Sequence, residues 1–500
     1  MTTPIKIIDL FAGPGGLGEG FASVGRPDNP IFKIVASIEK EPSAHQTLTL
    51  RAFTREFEER GLPAEYYQYV RGEITKDQLV TQYPTEWANA NLETLGRPTA
   101  LGEDNGLIHS AIRRALGANE DPWVLIGGPP CQAYSLAGRV RNNGKKGYVA
   151  TEDRRHFLYE EYLDIIKEFQ PAVFVMENVK GMLSSTPKGT PIFEKIIADL
   201  KQPIVGQLEY KIFSLSNPPR SYDQGNPVLH PKDYIVKAEE HGIPQARHRV
   251  ILIGVRAGLE LSLGQLLLPK QPQLALREVI DGLPKLRSGL SKDDSTDEWR
   301  GIVEKGLSQG QQYIDDLLTC SYDDDLPTSR GAKFIPLNDY PLSMNLPVKL
   351  YEWFCDINLN GVLDHQTRGH MQSDLARYAF VSSYGDQTGR SPRLADFPAE
   401  LLPNHKNVNS NNFVDRFKVQ LKHKPATTIT SHISKDGHYF IHPDPTQCRS
   451  LTIREAARIQ TFPDNYYFEG NRTQQYVQVG NAVPPYLAKQ IAEKLATIFT

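Results

Sequence analysis

Ile5-Lys6-Ile7-Ile8-Asp9-Leu10-Phe11-Ala12-Gly13-Pro14-Gly15-Gly16-Leu17-Gly18 joins a short β-branched apolar run to a turn containing Gly-x-Gly-x-x-Gly. Such a turn lets backbone pass close to a ligand and opens a helix whose N–H groups face it. Two ligands suit that geometry. A dinucleotide would set its pyrophosphate on the helix N-terminus and its ribose on an acid, whereas S-adenosylmethionine shares the adenosine half and carries no phosphate. A purely structural glycine turn is the third reading. Glu39, closing the next apolar run at Phe32–Ile38, supplies the acid that either ligand needs.

Further strand-like runs follow at 123–126, 172–176, 210–215 and 249–255. A helical pattern separates the first and second of these, where Leu158, Tyr162, Ile165, Ile166 and Phe169 recur at helical spacing before Pro171. This alternation predicts an α/β fold whose largely parallel sheet binds ligands at the carboxyl ends of its strands. Residues 1–261 fit that plan. Residues 262–450 change to Pro, Asn and short mixed segments and read as a second, smaller domain. From 451 to 500 amphipathic helices return, with Leu487, Ile491, Leu495 and Ile498 on one face, and the N-terminal sheet is the core they would complete.

Composition narrows the classes. With 500 residues, 39% of them apolar and 23% charged, the chain suits a soluble protein of two or three domains. Its four cysteines (Cys131, Cys320, Cys355, Cys448) form no Cys-x-x-Cys pair, which argues against a disulfide framework or structural zinc and for a reducing cytoplasm. Neither a signal peptide nor a membrane-length apolar run is visible. A net charge of −3 gives no global attraction to nucleic acid, so any phosphate-binding surface has to be local.

Three segments carry reactive chemistry. Gly127-Gly128-Pro129-Pro130-Cys131-Gln132 follows a buried run, so the prolines stiffen a turn that aims a thiol, although a lone cysteine can equally be structural. Phe174-Val175-Met176-Glu177-Asn178-Val179 ends an apolar strand on a carboxylate, which is costly to bury without a task or a partner. Gln245-Ala246-Arg247-His248-Arg249 leads into another strand with two arginines on one face.

Together with Ser135, Arg454-Glu455-Ala456-Ala457-Arg458-Ile459-Gln460 and Gly480-Asn481-Ala482-Val483-Pro484-Pro485, these segments resemble the ordered motif set of DNA (cytosine-5) methyltransferases of the bacterial restriction-modification type. The resemblance implies a Rossmann-like, S-adenosylmethionine-dependent methyltransferase sheet, with 262–450 as the target-recognition domain. It also implies methylation of carbon 5 of a cytosine flipped out of a specific duplex DNA sequence. Cys131 would be the nucleophile that adds to carbon 6, Glu177 would stabilise the ring, and Arg249 would contact its 2-oxo group with Arg247 in support. No metal is required. Carried over by position, the cofactor contacts are Phe11, Gly13, Pro14, Glu39 on the ribose, Pro130, Leu158, Asn481 and Val483.

Two departures stand out. Lys40 replaces the hydrophobic residue often found after the ribose acid, and the adenine contact stays open between Glu73 of Gly72-Glu73-Ile74, Glu103 and Asp104. DNA contacts are expected from Ser135 and Arg139 in a basic loop behind the nucleophile, and from Arg416, Lys418, Lys422 and Lys424, whose stretch carries Asp415 as its one acid. Expected partners are double-stranded DNA, a cognate restriction endonuclease or other defence protein, and no membrane, with a monomer acting on DNA. Three other readings compete: a tRNA cytosine-5 methyltransferase, a catalytically silent DNA-binding homologue, and a nicotinamide-dependent oxidoreductase that would explain the glycine loop alone.

Overall fold

The computed structural model describes residues 3–118, 121–130, 158–185, 192–259, 266–313, 326–339, 344–403 and 417–499. Seven strands form its central sheet: β1 (Ile5–Leu10), β2 (Phe32–Ile38), β3 (Val124–Gly127), β4 (Val173–Val179), β5 (Tyr210–Phe213), β6 (Ile235–Lys237) and β7 (His248–Arg256). Their order is β6-β7-β4-β3-β1-β2, with β5 paired to the same edge of β7 as β6. Ile7, Val124, Ile126, Val175 and Ile253 bury one face, and their neighbours Ile8, Leu125, Phe174, Met176 and Leu252 bury the other. Burial on both faces is why the strands read as continuous apolar runs and not as alternating ones.

The sheet is more mixed than the alternation predicts. The β1–β2, β1–β3 and β3–β4 pairs are parallel, but β7 runs antiparallel to β4, β5 and β6. A parallel return needs a crossover of a dozen or more residues, usually a helix. Between β6 and β7 there is only the single 3-10 turn Ala238–His241 and a short bridge, so the chain re-enters the sheet from the end it left.

Helix α1 (Gly16–Ala22) lies on the first face. Next, α2 (Pro42–Arg55), α3 (Ala64–Arg71), α4 (Lys76–Gln82) and α5 (Pro84–Glu93) build a small core of their own around Phe53, Phe57, Tyr66 and Leu79. The second face is covered by α6 (Asn105–Leu116), α7 (Leu158–Phe169) and α8 (Ile192–Lys201). In α7, Tyr162, Ile165 and Ile166 are buried as the helical spacing requires.

A separate core gathers residues between Leu290 and Cys448, where α9 (Thr296–Tyr313) contributes Trp299, Val303 and Leu307 against Leu375, Tyr378 and Val381 of α10 (Gln372–Thr388). Between those helices the hairpin of β8 (Gly331–Pro336) and β9 (Gly361–Gln366) leans on the α2–α5 core through Phe334 and Leu363. Leu266, Leu268, Leu276 and Val279, and later Ala426, Ile429 and Ile433, belong instead to the first face of the central sheet.

Finally α11 (Ile453–Ile459), α12 (Arg472–Asn481) and α13 (Pro485–Ala496) return to that first face, where Leu487, Ile491 and Leu495 pack in one cluster with Ile7, Val124 and Val175. The approach of α13 to α1 depends on Gly20, because a Cβ there would lie 2.4 Å from both the Pro485 carbonyl oxygen and the Lys489 nitrogen. Backbone cannot yield as a side chain can. Gly20→Ala is therefore expected to cost about 1–3 kcal/mol of stability, the usual range for overpacking. An unchanged urea midpoint would show that the two helices can separate without loss.

Candidate active site

A cavity of about 380 Å³ opens beyond the carboxyl ends of β1, β2, β3 and β4, lined by Phe11–Pro14, Ile38–Glu41, Gly128–Pro130 and Glu177–Val179. Four consecutive strands of the sheet end there, so each delivers its first loop residues to one place. The far wall comes from Thr430, Ser431 and the end of α12, Gly480 to Val483.

The glycine loop is held in an unusual conformation. Phe11 takes a left-handed φ of 56° and Gly13 one of 59°, while Gly15 (φ 97°) caps α1. A phenylalanine in that region is strained, and the strain is stored at the cavity edge. Gly16 makes the second close approach: a Cβ would stand 2.4 Å from the Val483 carbonyl oxygen, so the first and last segments of the chain meet here. Glu39 accepts hydrogen bonds from the N–H groups of Gly13 (2.8 Å), Lys40 (2.9 Å) and Glu41 (2.7 Å). Burial pushes its carboxyl above the ordinary value, and those backbone donors act in the opposite direction. The Gly13 donor is thereby committed to Glu39 and does not point free at an incoming pyrophosphate. A phosphate-free adenosyl cofactor fits this loop better than a dinucleotide.

The catalytic candidates converge on the other side. In the β4–β7 ladder Arg249 faces Val179 and Ile251 faces Glu177, so Glu177 and Arg249 are diagonal neighbours on one face. Arg249 Nε stands 2.8 Å from Glu177 Oε1 in an ion pair, with 16% and 14% of their side chains exposed. Gly128 makes room for the acid, since a Cβ would come within 3.1 Å of Glu177 Oε2. Asn178, which sequence reasoning quoted without giving it a role, donates Nδ2–H to the Pro129 carbonyl at 2.8 Å and accepts the Val179 N–H at 2.8 Å. It thus pins the Pro129-Pro130 segment at the cavity. Cys131, Ser135 and Arg139 themselves lie outside the described residues, as does Arg416.

Arg247 is 2% exposed and donates to the Ile429 carbonyl at 2.8 Å and, more weakly, to Gly480 at 3.4 Å. Burial, then the neighbouring Arg249, lowers its pKa well below the ordinary value. Its hydrogen bonds join the two backbone segments of the far wall, a supporting role that leaves Arg249 as the arginine paired with the acid. Gln245, also buried, reinforces the same wall by accepting the Ile429 N–H (2.7 Å) and donating to Gln460 (2.8 Å).

All eight residues carried over for the cofactor line this cavity: Phe11, Gly13, Pro14, Glu39, Pro130, Leu158, Asn481 and Val483. The three acids weighed for the adenine contact do not. The wall there is Thr99-Ala100-Leu101, and Asp104 stands behind it, accepting the Ala100 N–H at 2.9 Å and pairing with Arg97 at 2.8 Å. Glu73 is exposed beside Arg71. No chemistry-bearing side chain marks Thr99-Ala100-Leu101 in the sequence.

Among the expected DNA-contacting lysines, Lys422 is ion-paired with Asp386 of α10 and Lys424 donates to the Gly389 carbonyl at 3.2 Å. None of Lys418, Lys422 and Lys424 lines the cavity. Counting the acids in the local stretch missed Asp386, which only the fold brings to Lys422. No helix among the described residues is long and apolar enough to cross a membrane.

The sequence profile of the C-5 cytosine-specific DNA methylases matches residues 109–497. The type II methyltransferase M.Bpa9945I of Bacillus paralicheniformis is 34% identical over 98% of this chain and 98% of its own. The type II methyltransferase M.DdeI of Desulfomicrobium norvegicum is 26% identical over 99% of this chain and 89% of its own. Among solved structures, a DNA modification methyltransferase encoded within an Escherichia coli prophage superposes with a TM-score of 0.53 at 18% identity, covering 99% of both chains, a likeness of fold.

Proposed function

The chain belongs to the C-5 cytosine-specific DNA methylases, and from that premise we propose that it methylates carbon 5 of a cytosine flipped out of a specific duplex DNA sequence, through a covalent Cys131 adduct. This is the activity of a DNA (cytosine-5-)-methyltransferase. The observation that carries the reading is the Glu177–Arg249 pair at 2.8 Å, in the same cavity as Pro130, the residue before Cys131.

Carbon 5 of cytosine is a poor nucleophile until carbon 6 has been attacked. The Cys131 thiolate forms a bond to carbon 6, and the electrons of the 5,6 double bond move into the ring. Glu177 holds a proton at ring nitrogen 3 and accepts from the 4-amino group, while Arg249 donates to the 2-oxo group as its charge grows. S-adenosylmethionine, when bound, supplies a methyl group on a sulfonium that departs as a neutral thioether. Loss of the carbon 5 proton to a base then restores the double bond and expels the Cys131 sulfur. Glu39 holds the ribose, and Phe11, Gly13, Pro14, Pro130, Leu158, Asn481 and Val483 enclose the rest of the cofactor.

Residues 262–450 read the target sequence, around the separate core between Leu290 and Cys448. The enzyme acts as a monomer on DNA in the cytoplasm, beside a cognate restriction endonuclease or another defence protein. Expression in a methylation-deficient host followed by base-resolution sequencing is expected to show 5-methylcytosine at one short sequence. Methylation confined to tRNA, or placed on adenine, would overturn the proposal.

A further inference from the structure

Three arginines from distant parts of the chain meet at one backbone point. Thr367 donates its N–H to the Arg330 carbonyl at 2.9 Å and accepts from Arg472 Nη1 at 3.4 Å, and Arg368 is the next residue. Arg368 is 7% exposed and lies with its Cζ 4.5 Å from the centre of the Tyr476 ring. It donates to the carbonyls of Ile433 (2.7 Å) and Lys435 (3.0 Å), while its buried Nε–H has no partner among the described residues. The Arg330 Nε–H is likewise without a partner.

Acids do not balance this cluster. Arg330 reaches Asp294 at 3.1 Å, but Asp294 is already held by Arg287 at 2.9 Å, whose hydrogen bond keeps its carboxyl at about 2. Among the described residues no carboxylate pairs with Arg368 or Arg472. Partial desolvation lowers the Arg472 pKa, Tyr476 acts in the opposite direction, and Arg368 and Arg330 lower it again. Room has been left for these groups: a Cβ on Gly289 would stand 2.5 Å from the Arg330 Cζ. Arg287, Arg330, Arg368 and Arg472 thus have Asp294 as their one paired carboxylate among the described residues, and that surplus of positive charge is complementary to a polyanion.

The cluster also sits in line with the active site. Arg472, Tyr476 and Gly480 are spaced by four along α12 and so share a face, and Gly480 lines the catalytic cavity. Eight residues of helix span about 12 Å. Duplex DNA rises about 3.4 Å per base pair, so a site about 12 Å along the helix from the cavity is within a few base pairs' reach of a duplex engaged there. Resting on the duplex-DNA reading above, we propose that Arg330, Arg368 and Arg472 form a phosphate site that grips the backbone of the target duplex at the seam between the two cores.

Arg472 is exposed, so Arg472→Gln leaves the fold intact and is the variant of choice. Duplex affinity is measured by fluorescence anisotropy against salt, with one oligonucleotide carrying the methylated sequence and one scrambled. Loss of one phosphate contact is expected to reduce the slope of log K against log salt by about one and to weaken both duplexes alike, about five- to tenfold at low salt. Arg472→Lys should restore most of the slope, and S-adenosylmethionine affinity should not change. Unchanged slope and affinity in Arg472→Gln overturn the site, as does a loss confined to inorganic phosphate binding with duplex affinity intact. A wild-type chain that binds no duplex would instead sink the functional reading beneath it, so the two failures are distinguishable.

Discussion

A duplex with 5-fluorocytosine at its target is expected to form a denaturation-resistant adduct with the wild-type chain and none with Cys131→Ala. Fluorine cannot leave carbon 5 as a proton does, so the sulfur–carbon bond is trapped. Methyl transfer by the variant should fall on the order of 10⁴-fold or more, the scale seen when a nucleophile is removed from a concerted set. The expectation rests on the turn before it: Asn178 fixes the Pro129 carbonyl at 2.8 Å, and Pro130 lines the same cavity as Glu177. Cys355 and Cys448 offer no substitute, for burial pushes the Cys355 thiol up to about 11 and the buried Cys448 thiol higher still. Cofactor binding should survive the substitution. An undiminished adduct in Cys131→Ala would move the nucleophile elsewhere.

The second large effect is expected of Glu177→Gln, a loss of about a hundredfold in the single-turnover rate. The amide keeps the shape of the side chain and can still accept from Arg249, so what disappears is the ability to hold and release a proton at the ring. S-adenosylmethionine affinity should stay within about twofold, because Glu39, the proposed ribose acid, has its own set of three backbone donors. If the variant methylates at the parental single-turnover rate, Glu177 is a structural counter-ion to Arg249 and takes no part in the chemistry.

Features that repeat along the chain were legible in the sequence. Runs of Ile, Val and Leu marked the strands because a sheet buried on both faces tolerates little else, and the spacing of Leu487, Ile491 and Leu495 marked a helix seeking a core. Glu177 was visible as an acid at the end of an apolar strand. Relations between distant segments were not legible. The direction of β7 depends on the shortness of its connection to β6, and the partner of Lys422 is an acid on another helix. Thr99-Ala100-Leu101 forms a wall of the cavity, and Arg330, Arg368 and Arg472 carry no shared motif. Local periodicity encodes which face of an element is buried, whereas the ladder and the tertiary contacts decide what that face meets.

The meeting of Gly16 with Val483 also sets a schedule for biosynthesis. The two walls of the cavity that meet at Gly16 and Val483 are separated by more than 460 residues of chain. At about 5–20 residues per second the ribosome needs on the order of half a minute to two minutes to deliver both. Throughout that interval the nascent chain lacks the far wall of the cavity, so the pocket stays open. Such contacts between distant parts of a sequence also slow the final folding step. In a cell where a nuclease attacks unmodified sites, protection therefore lags transcription of the methylase by at least the time of one complete round of translation.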